Sequence, residues 1–275
     1  MIRIDVDTLL RERLPRHYRY IPSPIIRWVE RTICQEQLNR MLEVNDGRRN
    51  ADFCHGVLRH LDITYDVTGS LPESPRCIIV CNHPLGGLDG MMLIDMVARH
   101  YGVQPFFIVN DLLMAIEPLR DIFVPVNKHG RQSRAYSDSF DDALASDRPI
   151  IIFPAGLVSR RNAAGEIRDL KWQKMFINKA IAGRRDIIPA FFSGRNSNFF
   201  YTFAKLRTRL GIKLNFEMLR LPAEVFRCKG QHFSVTIGRP IPFGKLQGGA
   251  NAKIEAKAIK KIVYNLNPLP WKKKS

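Results

Sequence analysis

Short, fully apolar runs recur through the middle of the chain, set apart by polar stretches containing glycine or proline. Cys77-Ile78-Ile79-Val80, Phe106-Phe107-Ile108-Val109, Pro149-Ile150-Ile151-Ile152-Phe153 and Ile187-Ile188-Pro189-Ala190-Phe191-Phe192 are too short for helices. They are apolar on both faces, the pattern of strands buried inside a parallel sheet. Residues 63–67 and the alternating run 232–237 read as further strands. Residues 122–126 read as one too, with Pro125 placing it at an edge or a bulge. Helical spacing fills the intervals at 52–62, 91–101, 112–119, 134–144, 169–181 and 253–266. Phe199, Phe200, Tyr201 and Phe203 fall on another helix. This alternation predicts an α/β fold over residues 51–275, with a mostly parallel or mixed central sheet flanked by helices.

Residues 1–50 have a different pattern, helical and poor in glycine, and form an N-terminal amphipathic helical element. Pro24 can open a helix on which Ile26, Val29, Ile33, Leu38, Met41 and Leu42 share one side, with Trp28, Arg27, Arg31 and Arg40 interleaved. Such a helix can lie in a lipid interface or pack on the α/β domain. No apolar run approaches the ~18 residues of a spanning helix. The first residues lack the apolar core of a signal peptide.

At 275 residues and 45% hydrophobic content the chain can bury a sizeable core. Its five cysteines lack metal-ligand spacing, which predicts reduced, buried thiols in a cytoplasmic protein and no metal centre. A net charge of +17 favours a polyanionic partner: nucleic acid, an anionic membrane or an acidic carrier protein. With no zinc-ligand set, no ribonucleoprotein-type aromatic motif and no basic zipper, nucleic acid is not expected. The end of the chain, Trp271 followed by Lys272, Lys273 and Lys274, suits an anionic bilayer surface.

Candidate chemistry gathers at the ends of the apolar runs. Asn82 and His83 leave the first of them, and Gly86, Gly87, Asp89 and Gly90 follow just ahead of a helix. A strand-to-helix turn of this kind is where ligands bind in open α/β sheets. A His with an Asp in reach suits activation of a hydroxyl nucleophile. Asp89 would also serve as a simple helix cap. A second strand ends in Phe153-Pro154-Ala155-Gly156, with Arg160 and Arg161 just beyond to face an anionic group. Lys128 in a basic loop, and Arg195 and Asn196 after the 187–192 strand, are further polar candidates at such ends.

The Asn82-His83 pair followed by Asp89 resembles the first block of the lysophospholipid (glycerolipid) acyltransferase family. Phe153-Pro154-Ala155-Gly156 resembles its third block, and Lys128 stands where the second has an arginine. The wording Pro84-Leu85-Gly86-Gly87-Leu88-Asp89-Gly90 is similar to the hemolysin-like branch, which includes O-acyltransferases of ornithine and glycine aminolipids. The resemblance implies His83 as general base and Asp89 as its orienting partner. It implies an acyl carrier protein or coenzyme A thioester as co-substrate, a lyso-lipid acceptor and no resident cofactor. It further implies a peripheral enzyme on the cytoplasmic face of the inner membrane, with Ile188-Pro189 near the acyl donor. Two departures stand out: five residues rather than four separate His83 from Asp89, and Ala155 and Val158 replace the usual glutamate and arginine. The displaced arginines fit a differently shaped anion such as an amino-acid carboxylate, so a lyso-aminolipid is expected before a lysophosphatidic acid. A non-catalytic lipid-binding protein is the alternative of another class.

Overall fold

The computed structural model describes residues 3–13, 15–126, 134–212 and 215–268. Four short helices come first: α1 (Val6–Arg13), α2 (Pro15–Tyr18), α3 (Ser23–Thr32) and α4 (Gln35–Val44). Next come α5 (Asn50–His60), β1 (Thr64–Thr68), β2 (Cys77–Cys81), α6 (Gly87–Tyr101), β3 (Phe106–Asn110), β4 (Phe123–Val126), α7 (Arg134–Ala145) and β5 (Ile150–Ile152). A small hairpin of β6 (Arg160–Arg161) and β7 (Ile167–Arg168) leads to α8 (Met175–Ala182), β8 (Asp186–Phe192) and α9 (Asn198–Arg209). The chain continues through α10 (Leu221–Arg227), β9 (His232–Ile237) and α11 (Ala252–Asn265).

Seven strands form one sheet in the order β1-β9-β8-β2-β5-β3-β4. Every neighbouring pair is parallel except β8 and β9, so the sheet is mixed. The strands β8, β2, β5, β3 and β4 all run the same way, and their carboxyl ends share one edge. Alternation along β2 sorts its side chains to two cores. Cys77, Ile79 and Cys81 pack with α5 and α6, whereas Ile78 and Val80 pack with α7, α8 and α11. Buried apolar contact on both faces explains why β2, β5 and β8 are apolar throughout. Pro125 sits in β4 at the edge, where its missing N–H leaves no ladder bond unmade.

Three expected helices differ. Residues 112–119 form two 3-10 turns, Asp111–Ala115 and Glu117–Leu119, because Pro118 lacks the N–H that would continue an α-helix. The helix expected from Asp169 starts six residues later at Met175, since the Asp169 carboxylate is engaged elsewhere. The helix opened by Pro24 breaks at Cys34, whose left-handed backbone (φ 55°) separates α3 from α4.

Candidate active site

The fully buried strand β2 delivers Asn82 and His83 to the carboxyl edge of the sheet. The chain then turns at Gly86 (φ 94°), a backbone conformation an L side chain resists. A Cβ there would also stand 3.0 Å from a methyl of Leu221. This turn absorbs the extra residue between His83 and Asp89 and starts α6 at Gly87. Asp89, in the first helical turn, points back: its Oδ2 lies 3.0 Å from His83 Nδ1. The same oxygen accepts the N–H of Leu85 at 2.9 Å and of Gly86 at 3.4 Å, and Oδ1 accepts that of Gly90 at 2.9 Å. Those bonds, with the positive end of the α6 dipole, supply the carboxylate with donors in full burial.

The His83 ring stacks on Phe153, centroids 4.0 Å apart and 17° from coplanar. With Nδ1 donating to Asp89, Nε2 is the basic nitrogen, and it bonds to no described residue. Phe153 also lines a largely apolar cavity of about 570 Å³ with Ile108, Val109, Val126, Ile152 and Met175, to which Asn110, Lys171 and Gln173 add polar groups. The cavity lies at the carboxyl ends of β3, β4 and β5, so one aromatic ring joins it to the imidazole. Ile188 and Pro189, expected near the acyl donor, are buried inside β8 and do not line this cavity.

Asp169 was not expected here. Its Oδ1 accepts the His83 backbone N–H at 3.1 Å and the Ser159 hydroxyl at 2.5 Å, while Oδ2 accepts the Trp172 indole N–H at 2.8 Å. Ser159 N–H in turn donates to the His83 carbonyl at 2.7 Å. His83 is thus gripped on both backbone sides by the segment after β5. The sequence signal was Asp-Leu-Lys-Trp, whose indole, three residues on, is a fitting donor to the carboxylate.

Several of the expected ligand contacts already have partners within the protein. Asn82 is buried, with its amide donating to the Phe192 carbonyl at 2.9 Å and accepting the Phe192 N–H at 2.7 Å. It clips β2 to β8 because both backbone groups stand opposite it. Asn196 is buried too and donates to the Pro84 carbonyl at 3.1 Å, bracing the His83 loop from the segment after β8. Arg160 pairs with Glu217 at 2.8 Å and donates to the Val158 carbonyl, and its burial lowers its pKa. Arg207 meets the other Glu217 oxygen, also at 2.8 Å, so this carboxylate holds two guanidinium groups. Arg161 is half-buried, bonded to Asn198 at 2.7 Å and lying over the Tyr201 ring. Arg195 is exposed at the loop after β8. Gly86 N–H already faces Asp89, whereas Gly87 N–H, in the first turn of α6, has no acceptor among the described residues. Lys128 lies outside the described residues.

Against known proteins, the model of the Acyltransferase family matches residues 8–269. The chain belongs to the Acyltransferase family. It is similar to the lyso-glycine lipid O-acyltransferase of Bacteroides thetaiotaomicron, 40% identical over 265 residues, covering 96% of this chain and 97% of that protein. The protein of the same name from Phocaeicola vulgatus is 38% identical over 265 residues, covering 96% and 95%. The crystal structure of the 1-acyl-sn-glycerophosphate acyltransferase PlsC from Thermotoga maritima aligns at TM-score 0.47 and 16% identity, over 80% of this chain and 83% of that one. Family membership makes the protein an acyltransferase.

Proposed function

We propose that this acyltransferase moves a fatty acyl group from a thioester to the free hydroxyl of a lyso-aminolipid of the glycine-lipid type. The observation that carries the reading is the 3.0 Å contact between His83 Nδ1 and Asp89, with Nε2 uncommitted beside the wall of an apolar cavity. The acceptor class rests on the two relatives named lyso-glycine lipid O-acyltransferase.

Nε2 of His83 takes the acceptor hydroxyl proton as that oxygen bonds to the thioester carbonyl carbon. Asp89 stabilises the imidazolium that forms. Gly87 N–H is the donor within the loop for the developing oxyanion. The carbon–sulfur bond then breaks, the imidazolium returns its proton to the thiolate, and an ester and a free thiol leave. The acyl chain lies in the cavity behind Phe153, carried in by acyl carrier protein or coenzyme A, and no resident cofactor is required. The enzyme works as a peripheral protein on the cytoplasmic face of the inner membrane, and no described helix is long and apolar enough to cross one.

The aminolipid ranks ahead of lysophosphatidic acid because of the two named relatives, since Glu217 withholds the Arg160 guanidinium from any acceptor anion, carboxylate or phosphate. The test is incubation of purified protein with labelled acyl thioester and either an N-(3-hydroxyacyl)glycine or a 1-acylglycerol 3-phosphate. Ester formation on the first is expected. Product only on the second overturns the acceptor, and none on either favours a non-catalytic lipid binder.

A further inference from the structure

Helix α9 carries apolar residues on two sides. Phe200, Tyr201 and Ala204 are buried against the domain. Phe199, Leu206 and Leu210 stand exposed on another side, spaced i, i+7 and i+11 so that they form one stripe. Partly buried Phe203 joins that stripe, its ring stacked on Phe199 with centroids 6.1 Å apart. The 3-10 turn Phe216–Arg220 packs against α9 and adds exposed Phe216, and α3 packs on the same turn, bringing exposed Trp28. An isolated exposed leucine needs no explanation, but a row of this length flanked by aromatic rings does.

Charge along α9 and its flanks is one-sided. Between Asp186 and Glu217 the sequence has no acidic residue, and Glu217 itself is buried between Arg160 and Arg207. Lys205 and Arg209 are exposed one turn apart on α9, and Arg27 and Arg31 are exposed on α3. The segment that bears Phe216 continues into α10, whose Leu221 methyls lie where a Cβ on Gly86 would fall. The exposed face is therefore coupled through one short element to the loop that holds His83.

We infer that the outer face of α9, with Phe216 and Trp28, is the surface that seats the protein on an anionic lipid bilayer, apolar rings and leucines in the acyl boundary and cations among the headgroups. This rests on the proposed lipid acceptor, which would then reach His83 past Leu221 without leaving the membrane. Protein partners are disfavoured by the mixture: an acidic carrier accounts for the cations but not for the leucine row.

Flotation with vesicles of phosphatidylglycerol and phosphatidylcholine in equal parts, against phosphatidylcholine alone, tests it. The wild type should float only with the anionic vesicles. The variants Leu206→Ser with Leu210→Ser, and Lys205→Glu with Arg209→Glu, should each partition at least about tenfold more weakly. Both should keep acyl transfer to a micelle-dissolved acceptor within about twofold. Undiminished flotation of either variant overturns the inference. So does a wild-type dimer that the serine variant dissolves without loss of flotation, or weaker capture of acyl carrier protein by the glutamate variant with flotation intact. Wild-type protein that floats but is inactive in micelles overturns the proposed function while supporting the face.

Discussion

Two carboxylates, Asp89 and Glu217, are each fully buried and each meet a nitrogen base at about the same range, 3.0 Å and 2.8 Å. Their surroundings make them opposites. Asp89 has three backbone N–H groups and one imidazole, and the imidazole keeps its second nitrogen open beside a cavity. Glu217 has two guanidinium groups, which never give up a proton at working pH. In the proposed reaction one carboxylate prepares a base that can turn over, and the other fixes α9 and the Phe216 turn to the β6–β7 hairpin. The chemistry of the cation, rather than the depth of burial, separates a reacting pair from a structural one.

Changing the carboxylates one at a time sharpens that contrast. Asp89→Asn keeps the shape but removes the charge that orients His83 and stabilises its protonated form, so acyl transfer should fall on the order of a thousandfold. Steady-state rates with a saturating acceptor measure it; a loss under tenfold would make Asp89 a mere helix cap. Glu217→Gln should act on stability instead, costing about 3 kcal/mol by leaving two buried guanidinium groups uncompensated. Urea unfolding reads that cost, and the folded variant should keep its activity within a few-fold. Asp169→Asn falls between the two. It weakens the grip on the His83 backbone, and about a tenfold lower kcat with an unchanged KM is expected. A change confined to KM would show that Asp169 acts on the acceptor instead.

The smallest effect is expected at Cys81, next to the catalytic loop. Full burial, and then the nearby Asp89 and Asp169 carboxylates, push its thiol pKa well above the ordinary range. It therefore stays a neutral thiol, and iodoacetamide at pH 8 should leave it unmodified in the native protein. Labelling of Cys81 with parallel loss of activity would place a second nucleophile at the site.

What could be read from the sequence was local. The runs 77–80, 106–109 and 150–153 are strands because no other element buries two apolar faces in so few residues. Their carboxyl ends carry His83 and Phe153 for the same reason. Pro125 marked an edge and Pro24 a helix start, each through a missing N–H. The rest depended on partners far along the chain. Nothing near Arg160 announces Glu217, which lies 57 residues on. Nor does the neighbourhood of Asn196 announce the Pro84 carbonyl, 112 residues back. Asn82 looked like a ligand contact because the strand facing it, β8, is over a hundred residues away. Asp169 resembled a helix start because its contact with the His83 backbone, 86 residues back, arises only once β2 and β5 lie side by side. The antiparallel join of β8 to β9 was equally hidden, since apolar content carries no strand direction.

The proposed reaction depends on the open nitrogen of His83. Acyl transfer by His83→Ala should be measured against wild type, with the same labelled thioester and acceptor and with thermal melts of both proteins. We expect transfer at about a thousandth of the wild-type rate or less, in a protein that melts within a few degrees of wild type. A folded His83→Ala variant that transfers acyl groups at the wild-type rate would contradict it.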